Sequence, residues 1–159
     1  MTSITVIRQR PSRRAILLSG AGALLVSYSG IPARAAILPP VTAYRNPGCS
    51  CCEGWAERMK QAGFTVSMSD DPDLSARRSK LGIPADLAGC HMPFVGKYVI
   101  EGHVPPEDIA RLLSDKDDVV GLSVPGMPMG SPGMEGGTSE PYEVLAFSID
   151  GNRKVYARH

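Results

Sequence analysis

Three cysteines stand within four positions of the sequence, in the stretch NPGCSCCEGW. They are Cys49, Cys51 and Cys52, and the fourth cysteine of the chain, Cys90, directly precedes His91. Cys49 and Cys52 form a C-x-x-C pair where the following residues predict the start of a helix. A helix N-terminus stabilises a thiolate, and the second cysteine is close enough to resolve a mixed disulfide. Cys49 and Cys52 are therefore candidate catalytic residues for thiol–disulfide chemistry.

The same cysteines could instead bind a metal ion. Zinc sites use the C-x-x-C spacing too, and Cys51 adds a third sulfur that dithiol exchange does not need. With Cys90, four thiolates would carry four negative charges. Up to four Cu(I) ions with bridging sulfurs would balance them, whereas one Zn(II) ion would leave two uncompensated. Soft sulfur ligands select Cu(I) or zinc, so both metals stay open and Cu(I) is preferred.

A purely structural role for the cysteines is the alternative. Four cysteines allow three pairings into two disulfides. Only a link to Cys90 closes a long loop, so the second bridge would stabilise the fold little. The clustering is therefore a poor arrangement for disulfides that serve only to stabilise.

Histidines and methionines extend the candidate site. His91 adjoins Cys90, and His103 lies at the end of a predicted strand. Three methionines occur in the loop VPGMPMGSPGMEGG, where no core stripe explains them. Thioethers are soft, uncharged ligands, although methionines also fill irregular apolar gaps. The candidate metal ligands are Cys49, Cys51, Cys52, Cys90, His91, His103, Met127, Met129 and Met134.

The first 35 residues predict an export signal. They combine an arginine-rich start, an apolar run over 15–31 and an A-x-A cleavage motif at 33–35. The run is shorter than the about 20 residues of a membrane span, although an uncleaved anchor is the alternative. The paired arginines at 13–14, followed by apolar residues, indicate the twin-arginine export route.

Cleavage of this signal would change the charge balance of the chain. Residues 1–35 hold five of the 17 basic residues and no acidic residue, which leaves 12 against 16 acids and a formal charge of −4. A weakly acidic chain without basic runs argues against a nucleic-acid partner. We expect a linker over 36–40 and one domain over 41–159. We expect this domain to lie in the periplasm, where oxidising conditions favour disulfides. After cleavage of the signal we expect no contact with the membrane.

The elements that would position the cysteines follow from the hydrophobic patterns. Trp55, Met59 and Ala62 recur at helical spacing after the cysteine turn, and residues 64–69 alternate as a strand does. Two strands flank a turn at 96–97. The order β-α-β-α-β-β-α predicts an α/β, thioredoxin-like fold. A Met/Gly/Pro-rich loop and a C-terminal β-hairpin follow.

This fold would bring the two cysteine motifs together. In a thioredoxin-like domain the loop before the first hairpin strand faces the helical cysteine turn, often with a cis-proline, and Pro93 stands two residues after His91. Cys90 would then approach the three clustered cysteines.

Long stretches of the chain resemble one family. YRNPGCSCCEGW, GCHMPFVGKYVIEGHVPPEDIARLL and GLSVPGMPMGSPGME are similar to the signature blocks of the exported CopG-type copper-resistance proteins, formerly a domain of unknown function. The match runs over 41–135. The resemblance implies a thioredoxin-like fold, a periplasmic location and copper handling by Cys49, Cys51, Cys52 and Cys90, and less directly by His91 and His103.

These observations lead to one main hypothesis and two alternatives. The main one is a periplasmic copper-binding protein that binds several Cu(I) ions in its cysteine cluster and couples thiol and copper redox chemistry in copper resistance. The first alternative is a thiol–disulfide oxidoreductase acting on proteins. The second is a copper carrier without redox turnover. A second periplasmic copper or redox protein is the candidate partner.

Overall fold

Residues 37–159, the part of the chain that the computed structural model describes, form both strands and helices. Within them lie seven strands and three α-helices. In chain order these are β1 (Val41–Arg45), α1 (Ser50–Gln61), β2 (Val66–Asp70), α2 (Leu74–Lys80), β3 (His91–Val95), β4 (Tyr98–Gly102), α3 (Pro106–Asp115), β5 (Gly121–Val124), β6 (Glu143–Phe147) and β7 (Arg153–Arg158). The predicted export signal lies outside the described residues, and the domain boundaries stay a prediction.

The elements up to α3 and the C-terminal hairpin follow the predicted order, whereas the patterns place no strand at β5. All four residues of β5 are buried, so the segment shows no alternation of apolar and polar residues. Gly121 starts β5 directly against β4, where a Cβ atom would overlap the carbonyl of Val99. The chain is therefore a mixed α/β protein with one more sheet strand than the sequence predicts.

The seven strands form one sheet in the order β2-β1-β3-β4-β5-β6-β7. The β1–β2 and β4–β5 pairs are parallel, and the other neighbours are antiparallel. In the antiparallel β1–β3 pair, Arg45 at the end of β1 stands opposite His91 at the start of β3. The turn that follows β1 and the residue that precedes β3 are therefore neighbours.

Apolar side chains cover both faces of the sheet. Val99 and Ile100 are consecutive on β4, so they point to opposite faces, and each belongs to a different core cluster. The cluster with Ile100 includes residues of α1 and α3, and the cluster with Val99 includes Leu74 of α2. The helices thus bury their apolar sides against both faces of one sheet.

Helix α1 carries most of the predicted apolar stripe. Trp55 and Met59 are fully buried, and the indole N–H of Trp55 donates to the carbonyl of Val104 at 2.9 Å. Ala62 is exposed, contrary to the prediction, because it caps the end of the helix rather than continuing its buried side. Met59 is thus a core residue and not a metal ligand.

Two further observations concern local conformation. No peptide bond in the described residues is cis, so the expected cis-proline at Pro93 is wrong: Pro93 lies within β3, paired with Ala43 of β1. The last residue, His159, is held in place, because its backbone pairs with that of Tyr142 and its ring contacts Asp108. Within residues 37–159 no helix has the length and apolar character needed to cross a membrane.

Candidate metal centre

The backbone brings the two cysteine motifs together at one end of β1 and β3. The N–H of Asn46 donates to the carbonyl of Cys90 at 3.2 Å, and the N–H of Cys49 donates to the carbonyl of Asn46 at 3.3 Å. Arg45 reinforces this turn by donating to the carbonyl of Cys49 at 3.2 Å and by pairing with Glu53 on α1. The end of β1 thereby fixes the start of α1 against the residue before β3.

The four sulfur atoms form one compact group. Cys49 and Cys52 are joined in a disulfide with an S–S distance of 2.02 Å. Cys51 Sγ lies 3.4 Å from Cys49 Sγ, Cys90 Sγ lies 3.4 Å from Cys52 Sγ, and the two free sulfurs lie 3.8 Å apart. All four lie within 4.8 Å of one another, which confirms the expected approach of Cys90.

Two of the four sulfurs are free thiols in this state. Cys51 and Cys90 are unbonded and partly buried, whereas Cys52 is fully buried. Burial, together with the neighbouring Cys51, raises the pKa of the Cys90 thiol to about 12. Reduction of the disulfide would make all four sulfurs available as thiolate ligands, and metal binding would have to displace the proton of Cys90.

His103 offers a ring nitrogen to Cys90. Its Nδ1 lies 2.7 Å from the carbonyl oxygen of Pro132, and its Nε2 lies 3.0 Å from Cys90 Sγ. A carbonyl can only accept, so Nδ1 carries the proton and Nε2 of the neutral ring has the free lone pair. Burial lowers the pKa of His103 below its usual range, which favours this neutral, metal-binding form.

His91 lies on the other side of Cys90. Its Nδ1 is 3.3 Å from Cys90 Sγ, and its ring packs against those of Trp55 and His103. Burial lowers the pKa of His91 well below its ordinary value, with smaller contributions from His103 and Arg78. Its Nε2 is buried without a partner in the described residues. Cys90, His91 and His103 thus form a second group of possible metal ligands that shares Cys90 with the sulfur group.

The three methionines of the loop differ in their placement. Met127 is half exposed, and its Sδ lies 3.9 Å from Cys51 Sγ. Met129 and Met134 are partly buried, and Met129 packs beside Gly137. Within the described residues, Met127 is the methionine whose sulfur contacts the cysteine group. The structure therefore brings one of the three predicted thioethers to the cysteines.

The loop that carries Met127 docks on α1 through glycine. Gly133 has φ +89°, and a Cβ atom there would lie 2.5 Å from both the carbonyl of Cys51 and the amide nitrogen of Trp55. Arg58 of α1 and Glu135 of the loop form an ion pair at 2.7 Å beside this contact. The close approach requires glycine at 133 and holds the Pro132 carbonyl at His103.

Sequence patterns miss the residues that orient this site. No sequence motif predicts the contact of the Pro132 carbonyl or the close packing of Gly133. The Gly- and Pro-rich composition of the loop is the one signal that its backbone makes unusual contacts. No pattern predicts the role of Arg45 either, because a single arginine at the end of a strand is common. The cysteines, His91, His103 and Met127 do converge.

Comparisons with known proteins point to one family. A family model described as "Protein of unknown function, DUF411" matches residues 87–134. No curated protein matches the chain. Two solved structures, copper resistance protein copG in form 1 and form 2, are similar at 36% and 37% identity, each with a TM-score of 0.72, covering 77% of this chain and 98% of theirs. The chain belongs to the CopG-type copper-resistance family.

Proposed function

We propose that the chain binds copper as Cu(I) through its cysteine cluster and couples copper and thiol redox chemistry in copper resistance or homeostasis. The observation that carries the proposal is the group of four cysteine sulfurs within 4.8 Å of one another. Thiolates at this separation can bridge soft, singly charged ions and share their charge among several of them. The copper resistance proteins of similar structure make copper the metal of choice over zinc.

The ligand set of the proposal follows the geometry. After reduction, Cys49, Cys51, Cys52 and Cys90 supply thiolates, and Met127 supplies a thioether from the loop. His91 and His103 supply nitrogen ligands at Cys90. Met129 and Met134 belong to the proposal as ligands that would join after a rearrangement of the loop, since no contact carries them to the sulfurs.

The redox step balances within the cluster. Two thiols that form the Cys49–Cys52 disulfide release two electrons and two protons. The electrons reduce two Cu(II) ions to two Cu(I) ions. An external thiol or another redox protein would return two electrons to the disulfide and restore the cluster. Cys49 and Cys52 are the redox pair of this scheme, and Cys51 and Cys90 are free to keep metal in either state.

Fold and location are further parts of the proposal. The sheet order β2-β1-β3-β4, with the cysteine turn between β1 and α1, supports a thioredoxin-like core extended by β5, β6 and β7. The predicted export signal and the disulfide both suit the periplasm, where disulfides persist. A second periplasmic copper or redox protein would supply or receive the electrons.

A thiol–disulfide oxidoreductase acting on proteins is the second candidate. It is favoured by the disulfide at the helix start, where Cys49 is partly exposed and Cys52 is buried. This candidate needs Cys49 and Cys52 but not Cys51. Insulin reduction that survives the substitution Cys51→Ser, in a protein that binds no Cu(I), would favour it. A copper carrier without redox turnover is the other alternative. With its thiols kept reduced, such a carrier would transfer copper equally well with and without an external reductant.

A Cu(I) titration of the anaerobically reduced protein tests the proposal. Bound copper is measured per chain against a chromogenic Cu(I) chelator, with Zn(II) as a competing ion. We expect more than one tightly bound Cu(I), a loss in Cys90→Ser, and no displacement by Zn(II). Ser50→Ala is the matched control, because it alters the same turn and leaves every sulfur in place. One ion or none would contradict the cluster.

A further inference from the structure

A buried ion pair lies outside the sulfur group and contacts none of its sulfurs. Arg78 of α2 is 8% exposed and Glu101 of β4 is 0% exposed. The Nε of Arg78 donates to both carboxylate oxygens of Glu101, at 3.0 and 3.1 Å. Burying two charges costs free energy that their attraction often fails to offset, so a buried pair is weak support for stability. Its remaining hydrogen bonds indicate what it does.

Both remaining bonds of the pair go to one residue, Gly89. The Nη2 of Arg78 donates to the carbonyl of Gly89 at 2.7 Å. The N–H of Gly89 donates to Oε2 of Glu101 at 3.1 Å. The pair therefore satisfies both peptide groups of the residue that directly precedes Cys90.

Gly89 is held against a second glycine. A Cβ atom on Gly89 would overlap the Cα of Gly102 and lie 2.5 Å from its amide nitrogen. The residues that follow these two glycines are Cys90 and His103, whose Sγ and Nε2 lie 3.0 Å apart. The contact between the glycine backbones thus sets the position of the thiol relative to the imidazole.

We propose that Arg78 and Glu101 are positioning residues that hold Gly89 against Gly102 and thereby fix the Cys90 thiol at His103 for metal binding. The inference rests on the proposed copper function, because metal binding is what the fixed position of the thiol would serve. Its geometry needs the planar guanidinium, which donates in two directions at once. A lysine ammonium at 78 keeps the charge but cannot reproduce this fork.

The substitution Arg78→Lys separates positioning from charge. We expect the reduced variant to bind Cu(I) at least about 10-fold more weakly than the unchanged protein, as is usual when a residue that orients a metal ligand is altered. Unchanged affinity would show that charge suffices and would overturn the proposal. Arg153→Lys, in the exposed ion pair with Asp86, is the matched control and should leave affinity unchanged.

A second measurement needs no metal. In the oxidised Cys51→Ser protein, Cys90 is the one free thiol, so its alkylation by iodoacetamide reports how it is held. We expect Arg78→Lys in this background to react severalfold faster while its far-UV circular dichroism is unchanged. Equal rates would overturn the positioning role. Glu101→Gln, which keeps the shape of the side chain, takes the same place should Arg78→Lys not fold.

The two measurements fail independently. Absence of Cu(I) binding by the unchanged protein would refute the proposed function and leave the alkylation test intact. If the unchanged protein binds Cu(I), and Arg78→Lys alters neither the Cu(I) affinity nor the alkylation rate of Cys90, the positioning role alone is refuted.

Discussion

The Nε2 atom of His103 lies 3.0 Å from the Sγ atom of Cys90, while its Nδ1 is bound to the carbonyl of Pro132 at 2.7 Å. One imidazole therefore connects the cysteine group to the loop that follows β5. The loop fixes the tautomer, and the tautomer leaves the lone pair directed at the thiol. The site is for this reason built from three separate parts of the chain: the cysteine turn, the β3–β4 hairpin and the loop.

Removal of the His103 ring should weaken metal binding. We expect His103→Ala to lower the Cu(I) affinity of the reduced protein at least about 10-fold, because a ligand or orienting nitrogen beside Cys90 is lost. The measurement is competition with a chromogenic Cu(I) chelator. His159→Ala is the control, since that histidine contacts Asp108 away from the cysteines. Equal losses in both variants would argue against a role for His103 at the metal.

A side chain at 133 should detach the loop from α1. Gly133→Ala combines a left-handed backbone with overlap at Cys51 and Trp55, so we expect a loss of about 1–3 kcal/mol in the free energy of unfolding. Urea denaturation measures it. Gly126 in the same loop has a similar φ of +73° but open space around it. Gly126→Ala therefore measures the cost of an alanine in the left-handed backbone conformation without the overlap. Equal costs in the two variants would mean that the loop does not dock tightly.

Alkylation of Cys90 should follow the pH in an unusual way. Burial is the largest cause that raises the pKa of this thiol, ahead of the neighbouring Cys51, so the neutral form dominates at neutral pH. The thiolate fraction, and with it the alkylation rate, should keep rising past about pH 9, above which the rate of an ordinary thiol with a pKa of about 8.5 levels off. The oxidised Cys51→Ser protein is measured, since burial remains the largest cause there, with glutathione as reference. A plateau near pH 9 would contradict the buried thiol.

The same shift has a consequence for stability. The folded chain favours the neutral Cys90 thiol. The contribution of this thiol to the free energy of unfolding is therefore fully present below the pKa of the thiol in the unfolded chain, about 8.5. It is lost as the pH rises from there toward about 12. The difference in the free energy of unfolding between oxidised Cys51→Ser and the same protein with Cys90→Ser should therefore be constant below about pH 8.5. Above that pH it should change in favour of Cys90→Ser, as measured by denaturation at each pH.

Met127 should matter more to copper than the other loop methionines. Its sulfur lies 3.9 Å from Cys51 Sγ, so Met127→Leu removes a thioether from the cluster and keeps a side chain of similar size. We expect a lower Cu(I) affinity or one copper fewer per chain, measured by the same competition. Met134→Leu is measured beside it, since Met134 could join the cluster only after a rearrangement of the loop. An equal or larger loss in Met134→Leu would contradict the greater role of Met127.

The convergence of the cysteines could be predicted because it depends on strand order. Once β1 and β3 are neighbours, the turn after one and the residue before the other must meet, whatever the side chains nearby. The alternation at β2, the turn at 96–97 and the Pro106 start of α3 are equally local signals. β5 escaped prediction because a short strand buried on both sides lacks alternation and is followed at once by a Gly- and Pro-rich loop.

The residues that orient the site could not be predicted for a different reason. Glu101 stands in a strand, where a carboxylate ordinarily marks the solvent side, and Arg78 stands among the basic residues at the end of a short helix. Their pairing depends on how α2 packs on one face of the sheet. The carbonyl of Pro132 likewise reaches His103 only because Gly133 allows the loop to touch α1. Such contacts arise from packing and leave no periodicity in the sequence.

The burial of Trp55 gives the molecule a built-in optical reporter. It is the only tryptophan in the sequence, and its ring centroid lies 4.5 Å from that of His91, which itself adjoins Cys90. Indole emission is quenched by nearby copper and by a protonated imidazole, and no other tryptophan adds a background signal. We therefore expect the arrival of copper at this site to be visible in real time as a loss of tryptophan fluorescence, without attaching a dye.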